Sequence, residues 1–280
     1  MSTLTDRPAA GTTTRRGVRA LRIGLDRGVL ELRQFARTRE YVVFTLLFPV
    51  IVVVIFGAVF GGTVVGGVTL TQYFVTGMIA SGLLATSFQN LAIQIPIERG
   101  RGVLKRLLGT PMPRTAYFIG KIVMVLVVSV LETAVLLVIA VGFYHLALPH
   151  TAARWFTFGW VSLLGITACT LAGIAYSSVA RTGRGAPATV TPVALVLQFT
   201  SGVFFVYTSI PSWMQTVAAL FPLKWMCQGL RSVFLPDSFA HREVAHSWEL
   251  GRVALVLGAW CVGGLLVCLL TFRWTDRQER

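Results

Sequence analysis

Residues 41–97 carry no charged side chain, and this uncharged run decides the solvent in which the chain folds. One helix crosses a hydrocarbon core of about 30 Å with roughly 20 residues, so the run holds two crossings. They part at the Gly/Thr-rich stretch 61–67 (GGTVVGG), which reads as a turn. With 55% hydrophobic and 13% charged residues and a mean hydropathy of +0.72, the chain fits neither a water-soluble enzyme nor a disordered protein. The bilayer is its solvent.

Apolar periodicity and the positions of charge place six helical spans, at about 41–62, 72–95, 121–144, 155–180, 188–207 and 253–272. A third span follows Lys121 and is interrupted only by Glu132; the fourth ends at a short basic loop. The uncharged segment 185–223 is too long for one helix, and Pro211 and Pro222 mark its breaks. Of the 25 Lys and Arg residues, 20 fall before span one, after spans two and four, and after span six. The positive-inside rule therefore predicts cytoplasmic termini in a multi-pass bacterial plasma-membrane protein. A net charge of +14 would suggest nucleic acid if it formed one soluble face, but here it is divided among apolar runs, so no nucleic-acid partner is expected.

Residues 1–17 read as a disordered cytoplasmic tail with no cleavable secretory signal, and residues 273–280 as a second, polar tail. Between the first tail and span one, residues 18–40 read as an amphipathic helix lying on the anionic leaflet. Val18, Leu21, Leu25, Val29, Leu32 and Phe35 share one face, and Arg19, Arg22, Arg33 and Arg37 favour the other. Between spans five and six, Trp213, Val217, Leu220 and Phe221, then Met226, Leu230, Val233 and Phe234, recur at helical spacing on either side of Pro222. Two arrangements fit this outer segment: short re-entrant helices, or an interfacial hairpin.

Candidates for chemistry are few. All four histidines lie in predicted outer loops; His241 and His246 flank Glu243 at a spacing expected more often of a polar loop than of a metal site, and no metal is expected. Three of the four cysteines sit in apolar stretches as small hydrophobes. Glu132 is the one ionisable group within a span. It fits either a hydrogen-bonded structural role or the proton site of a secondary carrier, although a relay needs a second member. Gln89, Asn90 and Gln198, with Phe88, Phe199, Phe204 and Phe205, are candidates to line a passage for an amphipathic substrate; helix packing is the alternative for each.

Residues 98–111 (ERGRGVLKRLLGTP) form a short helix in which Val103, Leu104, Leu107 and Leu108 share a face and Lys105 and Arg106 take the other. An apolar ridge on a polar loop is expected to dock, either on lipid headgroups or in a groove of a cytosolic partner.

Glu98, Arg99, Gly102, Leu104, Leu107, Thr110, Pro111, Gly120 and Lys121 resemble the cytoplasmic-loop signature of ABC-2 type transporter permeases, the membrane subunits of ATP-driven exporters. A second similarity lies in Ser201-Gly202-Val203-Phe204-Phe205, Ile210-Pro211-Ser212-Trp213, Phe221-Pro222-Leu223 and Gly229-Leu230-Arg231. Together these cover nearly the whole chain, and they are closest to the daunorubicin-resistance-like and nodulation-exporter-like permeases. The chain departs from the pattern at Lys105, where an acidic residue is common, at Val206, where Pro is frequent, and at Phe221, where Asn often precedes Pro.

The resemblance implies an all-α, type V exporter-like fold of six spans, two permeases (identical or paralogous) and two ATP-binding subunits. It implies that Glu98, Arg99, Gly102, Leu104, Leu107 and Leu108 take part in coupling to the ATPase, and that spans one, two and five line the substrate path. Gly120-Lys121-Ile122 lacks both the upstream glycine and the following hydroxyl of a phosphate loop. ATP and Mg²⁺ would accordingly be bound by the partner, and this chain would hold no cofactor and no catalytic site. The expected cargo is a drug, antibiotic or lipid-linked compound moved outward, as in multidrug efflux. The rival expectation is proton-driven transport through Glu132; an intramembrane hydrolase is disfavoured by the lack of any histidine within a span.

Overall fold

The computed structural model describes residues 11–65, 67–180 and 182–272. The tail at 273–280 and the first ten residues of the tail at 1–17 lie outside them. Helix α1 (Gly11–Arg37) already begins within that tail, so the helical segment is longer than the expected 18–40 stretch. Five helices are long and apolar enough to cross a bilayer among the described residues: α2 (Arg39–Phe60), the continuous run Leu70–Gly100, α6 (Arg114–Tyr144), α7 (Ala152–Tyr176) and α11 (Leu250–Thr271).

The Leu70–Gly100 run is the axis of the molecule: 78% of its most apolar window is buried, against 22% for α2 and for α11. It comprises α3 (Leu70–Leu84), one π-helical turn over Ala85–Gln89, and α4 (Asn90–Gly100). The glycine-rich turn before it is a small antiparallel hairpin, with Val64 opposite Thr69 and Val65 opposite Val68. Thr69 then caps α3 in a reciprocal box with Gln72.

Expectation and structure part at the fifth span. Helix α8 covers only Ala186–Thr200, 15 residues, or about 22 Å at 1.5 Å per residue. The reason is a stop built from backbone and a buried cation. Gly202 takes a left-handed conformation (φ +79°), which lets the Val203 N–H reach the Gln198 carbonyl across the helix end. Arg231 Nη2 donates to the Gly202 carbonyl at 2.5 Å. The phenylalanines expected to end a span, Phe204 and Phe205, therefore stand beyond the helix.

The segment between α8 and α11 forms α9 (Ser212–Ala218) and α10 (Pro222–Phe234). All 13 residues of α10 are buried, and the helix is enclosed by α3, α7 and α11. Helix α10 is thus covered by protein on all sides, while Trp213 of α9 stays exposed. The pivot is Arg231, 1% exposed. Besides the Gly202 carbonyl it binds Glu243 at 3.3 Å and stacks 4.0 Å from the centre of the Tyr73 ring, so one guanidinium ties α10 to α3, to the end of α8 and to the following loop.

Helix α1 packs on α6 through glycines, not through its leucine stripe. Cβ atoms at Gly24 and Gly28 would lie 2.6 and 2.7 Å from Ile119 and Val123, so only bare backbone allows this approach. Gly24, Gly28, Glu31 and Phe35 form the buried face, whereas Leu21, Leu25 and Val29 remain exposed beside it.

Candidate substrate cavity and coupling region

Around the π turn of the central helix, Gly82, Thr86, Gln89 and Asn90 border one cavity of about 300 Å³. Such turns are frequent at functional sites. Helix α6 contributes Glu132, α8 contributes Thr191 and Gln198, and α2 closes the wall with Tyr41, Phe44 and Phe48. Thr86 Oγ1 donates to Glu132 Oε2 at 2.6 Å. A Cβ on Gly82 would overlap the other carboxylate oxygen, so the glycine gives Glu132 its room. Gln89 Nε2 reaches Thr191 Oγ1 at 3.5 Å, and Asn90 Nδ2 reaches the Met124 sulfur at 3.6 Å. The buried Asn90 carbonyl oxygen has no partner among the described residues, an arrangement suited to a ligand donor or a water. Among the described residues, no Lys, Arg or His lines this cavity.

Of the expected pathway residues, Gln89, Asn90, Gln198 and Phe204 meet here. Phe88 does not: it turns to a separate apolar cavity of about 640 Å³ between α7, α8 and α11 and packs on Tyr176 with ring centres 5.7 Å apart. Helix α8 divides the two spaces, with Val193 and Leu197 on one side and Thr191, Leu195 and Gln198 on the other. Phe199 and Phe205 are exposed and pack on each other, and Phe199 also packs on Phe204; neither borders the cavity. Sequence reasoning missed Tyr41, Thr86 and Thr191, and it did not place Glu132 with the amides. One signal was present: Gly82, Thr86, Gln89 and Ile93 recur at helical spacing.

Below this cavity lies a polar one of about 350 Å³, and Tyr41, Asn90 and Gln94 border both. Its far wall is a buried ionic cluster. Lys121 of α6 pairs with Glu31 of α1 at 2.9 Å and closely with Glu98 at the end of α4. Tyr117 donates to Glu98 at 2.8 Å, and Arg27 backs Glu31 at 3.0 Å. The ammonium thus holds three helices together, its charge offset by two carboxylates.

The coupling candidates continue from Glu98. Arg99 Nη1 reaches the Ser177 carbonyl at the end of α7 at 3.4 Å. Gly102, in the left-handed conformation (φ +70°), starts α5 (Val103–Leu108). Leu104 contradicts the expected exposed ridge: it is fully buried, with 0% exposure, because α5 folds back against α4. Val103 and Leu107 are half-buried and Leu108 is exposed, so these three carry the apolar surface that α5 offers a partner.

The buried polar axis, the membrane-length helices and the inner ionic cluster agree with a sequence relationship. Residues 25–235 match the ABC-2 type transporter family, and the chain belongs to that family as a membrane transport subunit. It is similar to the inner membrane transport permease YadH of Escherichia coli K12, 26% identical over 201 residues covering 68% of this chain and 75% of that protein. The YadH proteins of Escherichia coli O157:H7 and Shigella flexneri match to the same extent. Membership makes this a multi-pass membrane protein of a family that works with an ATP-binding subunit.

Proposed function

We propose that this chain is the permease subunit of an ABC exporter that moves a hydrophobic or amphipathic compound outward through the cavity beside Glu132. Two separate ATP-binding subunits, which hold the ATP and Mg²⁺, dock on the exposed side of α5 around Leu107 and Leu108 and on α1, whose Leu21, Leu25 and Val29 lie in the headgroup layer. A second permease, the same chain or a paralogue, covers the exposed sides of α2 and α8. Both termini are cytoplasmic, and α8 with the turn after it serves as the short fifth crossing.

The observation that supports this reading is the continuity of one helix. Thr86, Gln89 and Asn90 at the cavity and Glu98 in the ionic cluster all belong to the Leu70–Gly100 helix, which is joined to α5 by the two-residue turn at Arg101 and Gly102. A push on α5 has only that short turn to cross before it reaches the helix of the cavity wall. For ATP to drive the cycle, the ATP-binding subunit must bind the inward-open and outward-open states with different affinity.

The test is transport by proteoliposomes holding this chain and its ATP-binding subunit. Efflux that requires ATP and survives collapse of the proton gradient supports the exporter reading. Efflux that stops with the gradient and ignores ATP would instead establish the proton-driven carrier, with Glu132 as its proton site.

A further inference from the structure

We infer that the Glu132 cavity selects organic cations: a lipophilic monocation whose charged centre approaches the Glu132 carboxylate while its apolar body lies against Tyr41, Phe44, Phe48 and Phe204. This deepens the exporter reading and rests on it for the direction of movement. Glu132 is 3% exposed, and among the described residues it is the one carboxylic acid on the cavity wall, which carries no basic side chain. An unpaired carboxylate in a water-poor site is costly, and the lone hydrogen bond from Thr86 offsets only part of that cost. A cation brought by the ligand supplies the missing partner; an anion would meet a like charge with nothing to offset it.

The rest of the wall suits such a ligand. Aromatic faces attract organic cations, and four aromatic side chains border the space. Asn90, whose buried side-chain carbonyl oxygen has no partner among the described residues, also borders the space. The larger cavity across α8 makes the contrast: its wall carries no ionisable acid or base apart from a cysteine and a tyrosine, so it offers no basis for choosing by charge. The adjoining polar cavity is lined by Lys121 and Arg101 together with Glu31 and Glu98, so two positive side chains face two negative ones there.

The experiment measures equilibrium binding of radiolabelled tetraphenylphosphonium to the permease–ATPase complex in nanodiscs of neutral phosphatidylcholine, with empty discs subtracted. Wild type is expected to bind saturably, Glu132→Gln at least tenfold more weakly, and Glu132→Asp within threefold of wild type. Phenyltrimethylammonium should displace the probe, and its uncharged isostere tert-butylbenzene should not. The displacement pair needs only wild-type protein, so it decides the matter even if Glu132→Gln fails to fold. Absence of saturable binding, equal binding by Glu132→Gln, or equal displacement by both isosteres would overturn cation selection and leave ATP-driven export standing. Intact cation binding by a chain that forms no complex with an ATP-binding subunit would overturn export and leave cation selection standing.

Discussion

The Lys121 ammonium lies 2.9 Å from the Glu31 carboxylate, 90 residues away in the chain. The contact joins a helix expected on the membrane surface to the start of a membrane-crossing helix. Because Lys121 also holds Glu98, the first helix, the axial helix and α6 share one ionic knot close in sequence to α5. Under the exporter proposal, motion of α5 would reach the spans through this knot as well as through the axial helix.

Breaking the knot should destabilise the protein. Lys121→Met leaves Glu31 and Glu98 facing each other in a buried site, and removal of one partner from a buried ion pair costs about 3–5 kcal/mol. Thermal unfolding in detergent should show a marked drop for Lys121→Met. Adding Glu31→Gln to Lys121→Met should recover part of it, since Glu98 keeps its bond from Tyr117.

The two sides of α5 should separate docking from folding. Leu107→Asp combined with Leu108→Asp is expected to abolish ATP-dependent transport while membrane insertion and melting stay near wild type. Leu104→Asp places a charge at a fully buried position and should lower the yield of folded protein instead. Transport assays run beside size-exclusion profiles check both outcomes.

A methyl group at position 82 should displace the Glu132 carboxylate. Gly82→Ala adds a Cβ that overlaps Glu132 Oε1, and since the acid is the flexible partner, it swings away and loses the Thr86 hydrogen bond. The expected stability loss is about 1–3 kcal/mol, accompanied by a severalfold fall in transport rate. Thr86→Val removes the same bond without the added bulk and should give the milder defect in transport.

Arg231 should prove the most sensitive position of the outer segment. Arg231→Leu leaves Glu243 buried without its cation, again about 3–5 kcal/mol. Arg231→Lys should not restore stability, because one ammonium cannot bind Glu243, cap the Gly202 carbonyl and cover the Tyr73 ring as the planar guanidinium does. Melting curves of the two variants test this.

The long uncharged runs made the apolar helices legible, because hydropathy and the cost of burying charge act locally along the chain. The length of α8 was not legible. Its end depends on Gly202 meeting Arg231, 29 residues away, and no local pattern reports that contact. Periodicity grouped Leu104 with Leu107 and Leu108 but could not say which way the group faces; α5 folds back and buries the first. Likewise the Gln89–Asn90–Gln198 cluster could be guessed from polar side chains in apolar helices, while Phe88, one residue earlier, points into another space. Glu132 stood out as a lone charge. Its neighbours Gly82, Thr86 and Gln89 share a helical face that spacing alone shows, but nothing local pairs that face with Glu132, 46 residues beyond Thr86.

The most direct test of the account is native mass spectrometry of the tagged chain, co-expressed with the ABC-type ATP-binding subunit of its own genome and purified in mild detergent. The account predicts a complex of two permeases and two ATP-binding subunits, lost when Leu107 and Leu108 are both changed to Asp. A folded, transport-active chain that emerges without any ATP-binding subunit would contradict it.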